Sequence, residues 1–520
     1  MTGDGITGGD VIGTGRERGD LGPAGVPGGS VAPGTDAGEG EGVAVRGENL
    51  PVVGPVVRGL DERTGLVSFG STAMEKVFPD HWSFLLGEIA AFSFIVLLIT
   101  GTYLTLFFRP DATLTTYTGP YAPLDGQRVS AAFASVLNLS FTVEGGLLVR
   151  QAHHWAALLF IAAIVTHLGR IFLTGAFRRP REINWIIGFT LLLLALAEGI
   201  TGYSLPDDLL SGTGLRIVYS VILSIPFIGP WLASLLFGGL FPTTDIISRL
   251  FVVHVMLLPG ALIGGISIHL LIVWLQKHTQ YKGPGATEHN VIGLTLWPGQ
   301  AFRSVAALLL TISVVALMGG LFQINPVWIY GPYVPYAAAE PAQPDYYVGW
   351  LEGLLRMAPN WQVTILGITI PEPFVPGIIV PGILFTVLWA WPFIESFITH
   401  DHREHNLLDW PWETPWRTAT GAAFATIFLV LLLAGANDVI AAWLLIPVES
   451  LTEFFRVLVF VGPVVAWFVA YRLARARLAR GAEPIEPPGG IRLRRNATGG
   501  FDEVHDGPAV DAALSKAGQE

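Results

Sequence analysis

Eight apolar windows, each about 20 residues long, decide what this chain can fold into. They fall near residues 85–107, 151–174, 185–204, 250–275, 303–324, 373–394, 418–436 and 454–473. A helix of that length crosses a hydrocarbon layer of about 30 Å, whereas a barrel strand needs only about 9–11 residues. Inside lipid a segment must satisfy its own backbone groups, which leaves helices and closed barrels. The chain therefore reads as an all-α integral membrane protein with eight transmembrane helices, and no broken helix is legible. Composition agrees, with 51% of the 520 residues hydrophobic and 14% charged, against about 25% charged in a soluble domain.

The formal charge of −11 belongs mainly to the ends: residues 1–50 hold 8 acids and 3 bases, and residues 481–520 hold 7 and 4. No basic tract points to nucleic acid. Residues 1–50 are rich in Gly, Pro, Asp and Glu and cannot bury enough surface to offset ordering, so they read as disordered. They lack the basic start and apolar stretch of a signal peptide. Cysteine is absent, which excludes disulfides, thiolate metal sites, all-Cys iron–sulfur clusters and haem attached through C-x-x-C-H. A redox cofactor here must be held by histidine or by non-covalent contacts.

Lys/Arg bias orients the helices. Arg178, Arg179 and Arg181 follow the second window, Lys277 and Lys282 the fourth, and Arg472, Arg475, Arg477 and Arg480 end the eighth. The intervening loops instead hold Asp207, Asp208, Asp245, Asp345, Asp438 and Glu449. Both termini are thus expected in the cytoplasm of a cell-membrane protein. The outer loops 108–149, 205–249 and 325–371 are longer than connection requires and are expected to carry function.

Two helices carry matched histidines. His153 and His167 are 14 residues apart, about 21 Å of rise and 40° short of four turns; His254 and His269 are 15 apart, about 22 Å and 60° past four turns. Ionisable side chains within a membrane are functional-site candidates by default. The second and fourth helices run the same way, so His153 pairs with His254 near the outer face and His167 with His269 near the inner. Two stacked bis-histidine sites are what two non-covalent b haems require. Gly87 and Gly101 are also 14 apart, as are Gly188 and Gly202. Glycine is where a backbone approaches something closely, here a flat macrocycle, with Gly87 and Gly188 at the inner level and Gly101 and Gly202 at the outer. One such pair among 61 glycines means nothing; three helices with a 14-residue spacing beside a fourth with 15 do. His154 competes with His153 as ligand, at the expense of a rotation of about 100°. Pro259, five residues past His254, is expected to kink its helix.

Together these residues resemble cytochrome b of the quinol:cytochrome c oxidoreductases, over about residues 80–475. The resemblance lies in Arg150-x-x-His153, His167-x-Gly169-Arg170, Gly202-Tyr203-x-Leu205-Pro206 and Pro344-Asp345-Tyr346-Tyr347. With PDDLLSGTG and FRRPRE it looks most like the actinobacterial branch. The resemblance implies a low-potential haem on His153 and His254, a high-potential haem on His167 and His269, and Arg150 and Arg170 against the propionates. It makes Pro344, Asp345, Tyr346 and Tyr347 the counterpart of the family's P-E-W-Y quinol-site motif, with Asp345 accepting a proton, Tyr347 beside it and Gly214 lining the same pocket. Asp345 is a methylene shorter than the family's Glu, and Tyr346 replaces Trp. It implies a Q cycle: menaquinol oxidised outside, one electron to a high-potential acceptor, the other through both haems to menaquinone inside. Implied partners are a Rieske protein, a cytochrome c subunit, an aa3-type oxidase in a supercomplex and a second copy of the complex. A Cys-free chain cannot itself hold a Rieske cluster.

The expected organisation is then a tail over 1–50, a cytoplasmic amphipathic lead-in over 51–84 and a four-helix di-haem domain over 85–275. A four-helix domain with the PDYY loop covers 276–475, and a cytoplasmic tail covers 476–520. At the inner level Glu88, His81, Lys277 and His278 are candidate proton donors to a quinone, and no motif decides among them. Glu198, with Asp207 or Asp208, is either an outward proton relay or a satisfied structural group. His400, Asp401, His402 and His405 form a loop that reads as solvated more readily than as a metal site. Two rival functions stand beside the main one: a di-haem anchor without bifurcation, and a haem-free transporter with a histidine proton path.

Overall fold

The computed structural model describes residues 53–339, 343–481, 491–495 and 501–505. The expected tail over 1–50 lies outside the described residues, as does most of the chain after Gly481. The chain divides into two compact units between Ser71 and Thr72. In the first, helix α1 (Val53–Thr64) leads into α2 (Leu66–Met74), where Asp61 caps the second helix by accepting from the Val67 and Ser68 amides, both at 2.9 Å.

The second unit is mainly helical, with short two-stranded β pairs in its connections. Its first spanning helices are α3 (Leu85–Thr105), preceded by a short 3-10 turn at Trp82–Phe84, then α5 (Gly146–Leu173) and α6 (Glu182–Tyr203), with α4 (Ala131–Phe141) in the loop between α3 and α5. Helices α7 (Leu209–Leu223) and α8 (Gly229–Phe237) fill the loop before the long α9 (Ile246–Gln276). Next come α10 (Ala301–Leu321), the short α11 (Val327–Tyr330) and α12 (Tyr346–Met357). The pair α13 (Val375–Trp389) and α14 (Trp391–Thr399) precedes α15 (Pro415–Gly435), α16 (Asn437–Leu444) and α17 (Val448–Ala479). Among the described residues seven helices are long and apolar enough to cross a membrane, or eight if the α13–α14 pair counts as one. That pair bends by 60° at Ala390. It corrects the expectation of unbroken helices: Pro392 lacks the N–H that would continue the ladder.

Helix α3 packs on α5, α6 on α9, and α10 against both α3 and α5; α15 gathers α12 and α17. The central core includes Phe94, Phe160, Phe189, Leu192 and Leu262. Outward faces remain apolar, as on α17, where Phe460 and Phe468 are exposed. Such a surface suits lipid and not water.

Helix α9 has a feature that the periodicity hid. Over Val253–Leu257 it winds as a π turn, and the Leu258 amide reaches back five residues to the Val253 carbonyl. Pro259 follows directly. A π turn absorbs one extra residue, so the 15-residue step from His254 to His269 matches the 14-residue step on α5. The expected proline kink takes this form.

Candidate functional site

The two histidine pairs line two separate cavities. The first, about 380 Å³, is walled by Gly101, Arg150, His153, His154, Glu198, Gly202, Tyr203, His254, Asp345 and Tyr347. The second, about 340 Å³, is walled by Gly87, Glu88, His167, Arg170, Gly188, His269, Lys277 and His278. Phe160 lines both and stacks on Phe94 with ring centres 5.4 Å apart, so an apolar layer separates them.

Each histidine rests on one glycine of a neighbouring helix. A Cβ on Gly87 would lie 3.2 Å from His167 Cε1, one on Gly101 3.1 Å from His153 Cε1, and one on Gly188 3.2 Å from His269 Cε1. At Gly202 the His254 ring would be closer still. The four glycines and four histidines thus meet one to one, Gly101 and Gly202 with His153 and His254 at the first cavity and Gly87 and Gly188 with His167 and His269 at the second. In the first cavity the His153 and His254 ring centres are 6.4 Å apart. Their Nδ1 atoms are tied back to the helices, His153 to the Thr100 hydroxyl at 2.9 Å and His254 to the Glu198 carbonyl at 3.1 Å. That leaves Nε2 for the cavity, the arrangement by which a second hydrogen bond fixes the tautomer of a ligating imidazole.

Three comparisons bear on what such a frame is. Residues 158–332 match the family model "Cytochrome b(N-terminal)/b6/petB". The cytochrome bc1 complex cytochrome b subunit of Mycobacterium tuberculosis is 50% identical over 440 residues, covering 83% of this chain and 79% of that protein. Its counterpart in Streptomyces coelicolor is 45% identical over 452 residues, covering 86% and 82%. The chain belongs to the cytochrome b subunits of the bc1 complex. A solved hyperthermophilic respiratory complex III shares the fold of this cytochrome b, with a TM-score of 0.57, 19% identity and coverage of 80% of this chain and 100% of that one.

Cytochrome b carries haem b, and the cavities fit that group on three independent grounds. Each offers two histidines. Each has a glycine on either side where a side chain would intrude. Each also contains an arginine with buried, unpartnered nitrogens, Nε and Nη2 of Arg150 in the first and of Arg170 in the second. A buried guanidinium nitrogen normally has an acceptor, and a carboxylate on the bound group supplies one in the geometry guanidinium prefers.

Asp345 and Tyr347 reach the first cavity although Asp345 lies 191 residues beyond His154 in the chain. Asp345 begins α12, and Tyr347 lies over Gly199, where a Cβ would meet its ring at 2.7 Å. Burial and the neighbouring Asp345 carboxylate raise the Tyr347 hydroxyl well above its usual range, so it stays protonated. Pro344, Tyr346 and Gly214 stand beside this wall rather than in it. The Tyr346 hydroxyl donates to the Leu158 carbonyl at 2.8 Å, and Gly214 faces the Tyr203 ring. His154 is not turned toward its neighbour's partner: its Nε2 lies 2.9 and 2.8 Å from the two Asp345 oxygens. Glu198 sets Oε1 3.1 Å from His254 Nδ1 and leaves Oε2 without a partner. Burial pushes Asp207 up to about 6 and raises Asp208, whose carboxylate accepts from the Ser211 hydroxyl at 2.6 Å.

A third cavity, about 850 Å³, was not legible beforehand. Asp80, His81, Leu159, Gln300 and Arg303 line it, and Arg303 pairs with Asp80. Gln300 also donates to Glu88 at 2.6 Å and so joins it to the second cavity. Burial, with Lys76, Arg181 and Arg170 nearby, pushes His278 down to about 4, so it is neutral. In the 400–405 loop Asp401 is held by Arg403 at 2.8 Å and His402 by Ser396 at 3.0 Å.

Proposed function

We propose that this cytochrome b oxidises menaquinol at the first cavity and reduces menaquinone near the second, in a Q cycle. The observation that carries the reading is the one-to-one meeting of four histidines with four glycines in two cavities, each with an arginine whose Nε and Nη2 are buried without a partner. His153 and His254 hold an outer haem b, and His167 and His269 an inner one. Arg150 and Arg170 bind their propionates, and Gly87, Gly101, Gly188 and Gly202 leave room for the macrocycles. When bound, the two haems carry one electron from the outer level to the inner.

The remaining chemistry belongs to the chain's own side chains. Asp345 accepts a quinol proton, Tyr347 holds a donor hydroxyl beside it, and Pro344, Tyr346 and Gly214 stand behind the residues that line the pocket. Asp207 and Asp208 receive protons on their way out. At the inner level the third cavity suits a quinone: His81 and Arg303 offer polar groups, and Glu88 stands between it and the inner haem. His278, being neutral, is a poor proton donor. The lysines and arginines after α5 and α9 and at the end of α17 support an orientation with both termini in the cytoplasm. Residues 85–275 hold the haems, and 276–475 supply the quinol-site loop.

Because the chain has no cysteine for a Rieske cluster, the electron that does not enter the haems must leave to a partner. A Rieske protein and a cytochrome c subunit fill that role, with an aa3-type oxidase and a second copy of the complex beyond them. The test is Asp345→Ala in the purified complex. Proton acceptance by a placed side chain contributes about 10²–10⁴-fold, so quinol oxidation should slow by at least about 10² with both haems retained. Unchanged turnover would remove Asp345 from the mechanism.

A further inference from the structure

His154 is a membrane imidazole that the haem assignment leaves unused, and its surroundings give it a task. We propose that His154 is a positioning residue for Asp345, holding that carboxylate toward the first cavity. The proposal rests on the reading of Asp345 as the quinol's proton acceptor.

The geometry of α12 carries it. Asp345 is the N-cap of that helix, with φ −53° and ψ 144°, and its side chain makes no capping hydrogen bond. An aspartate at an N-cap ordinarily folds its carboxylate onto the amides of its own first turn. Here the Val348 amide is taken by the Asp345 backbone carbonyl at 2.9 Å, and the carboxylate turns instead to His154 Nε2, at 2.8 and 2.9 Å. Both groups are largely enclosed, with side chains 18% and 6% exposed. One turn further along α5, the Leu158 carbonyl accepts from Tyr346 at 2.8 Å. Residues four apart share a helix face, so one face of α5 grips two successive residues of the PDYY segment while His153, on the adjoining face, looks to His254. Without the imidazole the carboxylate keeps only the Tyr347 hydroxyl beside it and is free to turn to the first-turn amides of its own helix, the ordinary partners of an N-cap aspartate, away from the cavity wall. An error of about 1 Å in placing a reacting group costs about 10²-fold in rate.

The test uses the full complex carrying His154→Leu, His154→Gln, Asp345→Ala and the double variant His154→Leu/Asp345→Ala. Menaquinol oxidation is followed with the haem spectrum and the outer-haem midpoint potential. His154→Leu should lower kcat by about 10–100-fold with KM within about twofold and both haem signals unmoved. His154→Gln, which returns an N–H donor near the Nε2 position, should recover most of the rate. The double variant should be no slower than Asp345→Ala alone. Normal turnover in Asp345→Ala defeats the proton-acceptor reading itself. A slow Asp345→Ala beside a normal His154→Leu defeats only the positioning role. Additive losses, or a shifted outer-haem potential, would mean that His154 acts on His153 and would overturn the proposal. Should His154→Leu fail to retain both haems, His154→Gln against His154→Asn decides. The shorter Asn cannot reach Asp345, and equal rates would sink the idea.

Discussion

The two cavities share one frame and differ in their walls. Both are built from a glycine helix facing a histidine helix, with an arginine on the histidine helix and Phe160 between them. The first then receives acids: Glu198 from α6 and Asp345 from α12. The second receives Arg181, Lys277 and His278 from the loops, with Glu88 as its carboxylate. A repeated helical geometry makes two equivalent places for a flat cofactor. The walls thus differ in charge, with two added carboxylates at the first cavity and mainly bases at the second.

The most severe way to break that comparison is to delete one ligand at a time. His254→Leu should remove the outer haem and leave the inner, and His269→Leu the reverse. Each would halve the reduced-minus-oxidised b absorbance and abolish quinol turnover. Loss of both haems from either variant would show that the cavities do not form independently. A finer break uses the glycines. Adding a Cβ overpacks a filled site by about 1–3 kcal/mol, and the His254 ring lies closer to Gly202 than the His269 ring does to Gly188. Gly202→Ala should therefore lower the outer-haem content more than Gly188→Ala lowers the inner, read from the same spectra. Equal losses would mean that the closer approach at Gly202 has no energetic weight.

Much of this frame was legible because helical periodicity converts residue spacing directly into height and angle. The 14-residue steps on α3, α5 and α6 needed no tertiary knowledge, but the contact of each glycine with one histidine appears only in the fold. The 15-residue step on α9 was legible only as an excess, because a π turn leaves no periodic mark and Pro259 signals a disturbance without naming its form. His153 and His154 were harder to separate. They differ by about 100° on one helix, and the contact that gives His154 its partner joins α5 to a segment 191 residues away. The bend between α13 and α14 was hidden for the opposite reason, since an apolar window has the same composition whether straight or broken. The third cavity is assembled from Asp80, Gln300 and Arg303, which carry no shared motif and meet only in the fold.

The central claim, two bis-histidine haem sites in one chain, is tested most directly by counting haem. Acid–acetone extraction of the purified protein followed by a pyridine haemochrome should give two extractable b haems per polypeptide. One haem would contradict one of the two pairs and direct attention to single histidine variants, and none would contradict both.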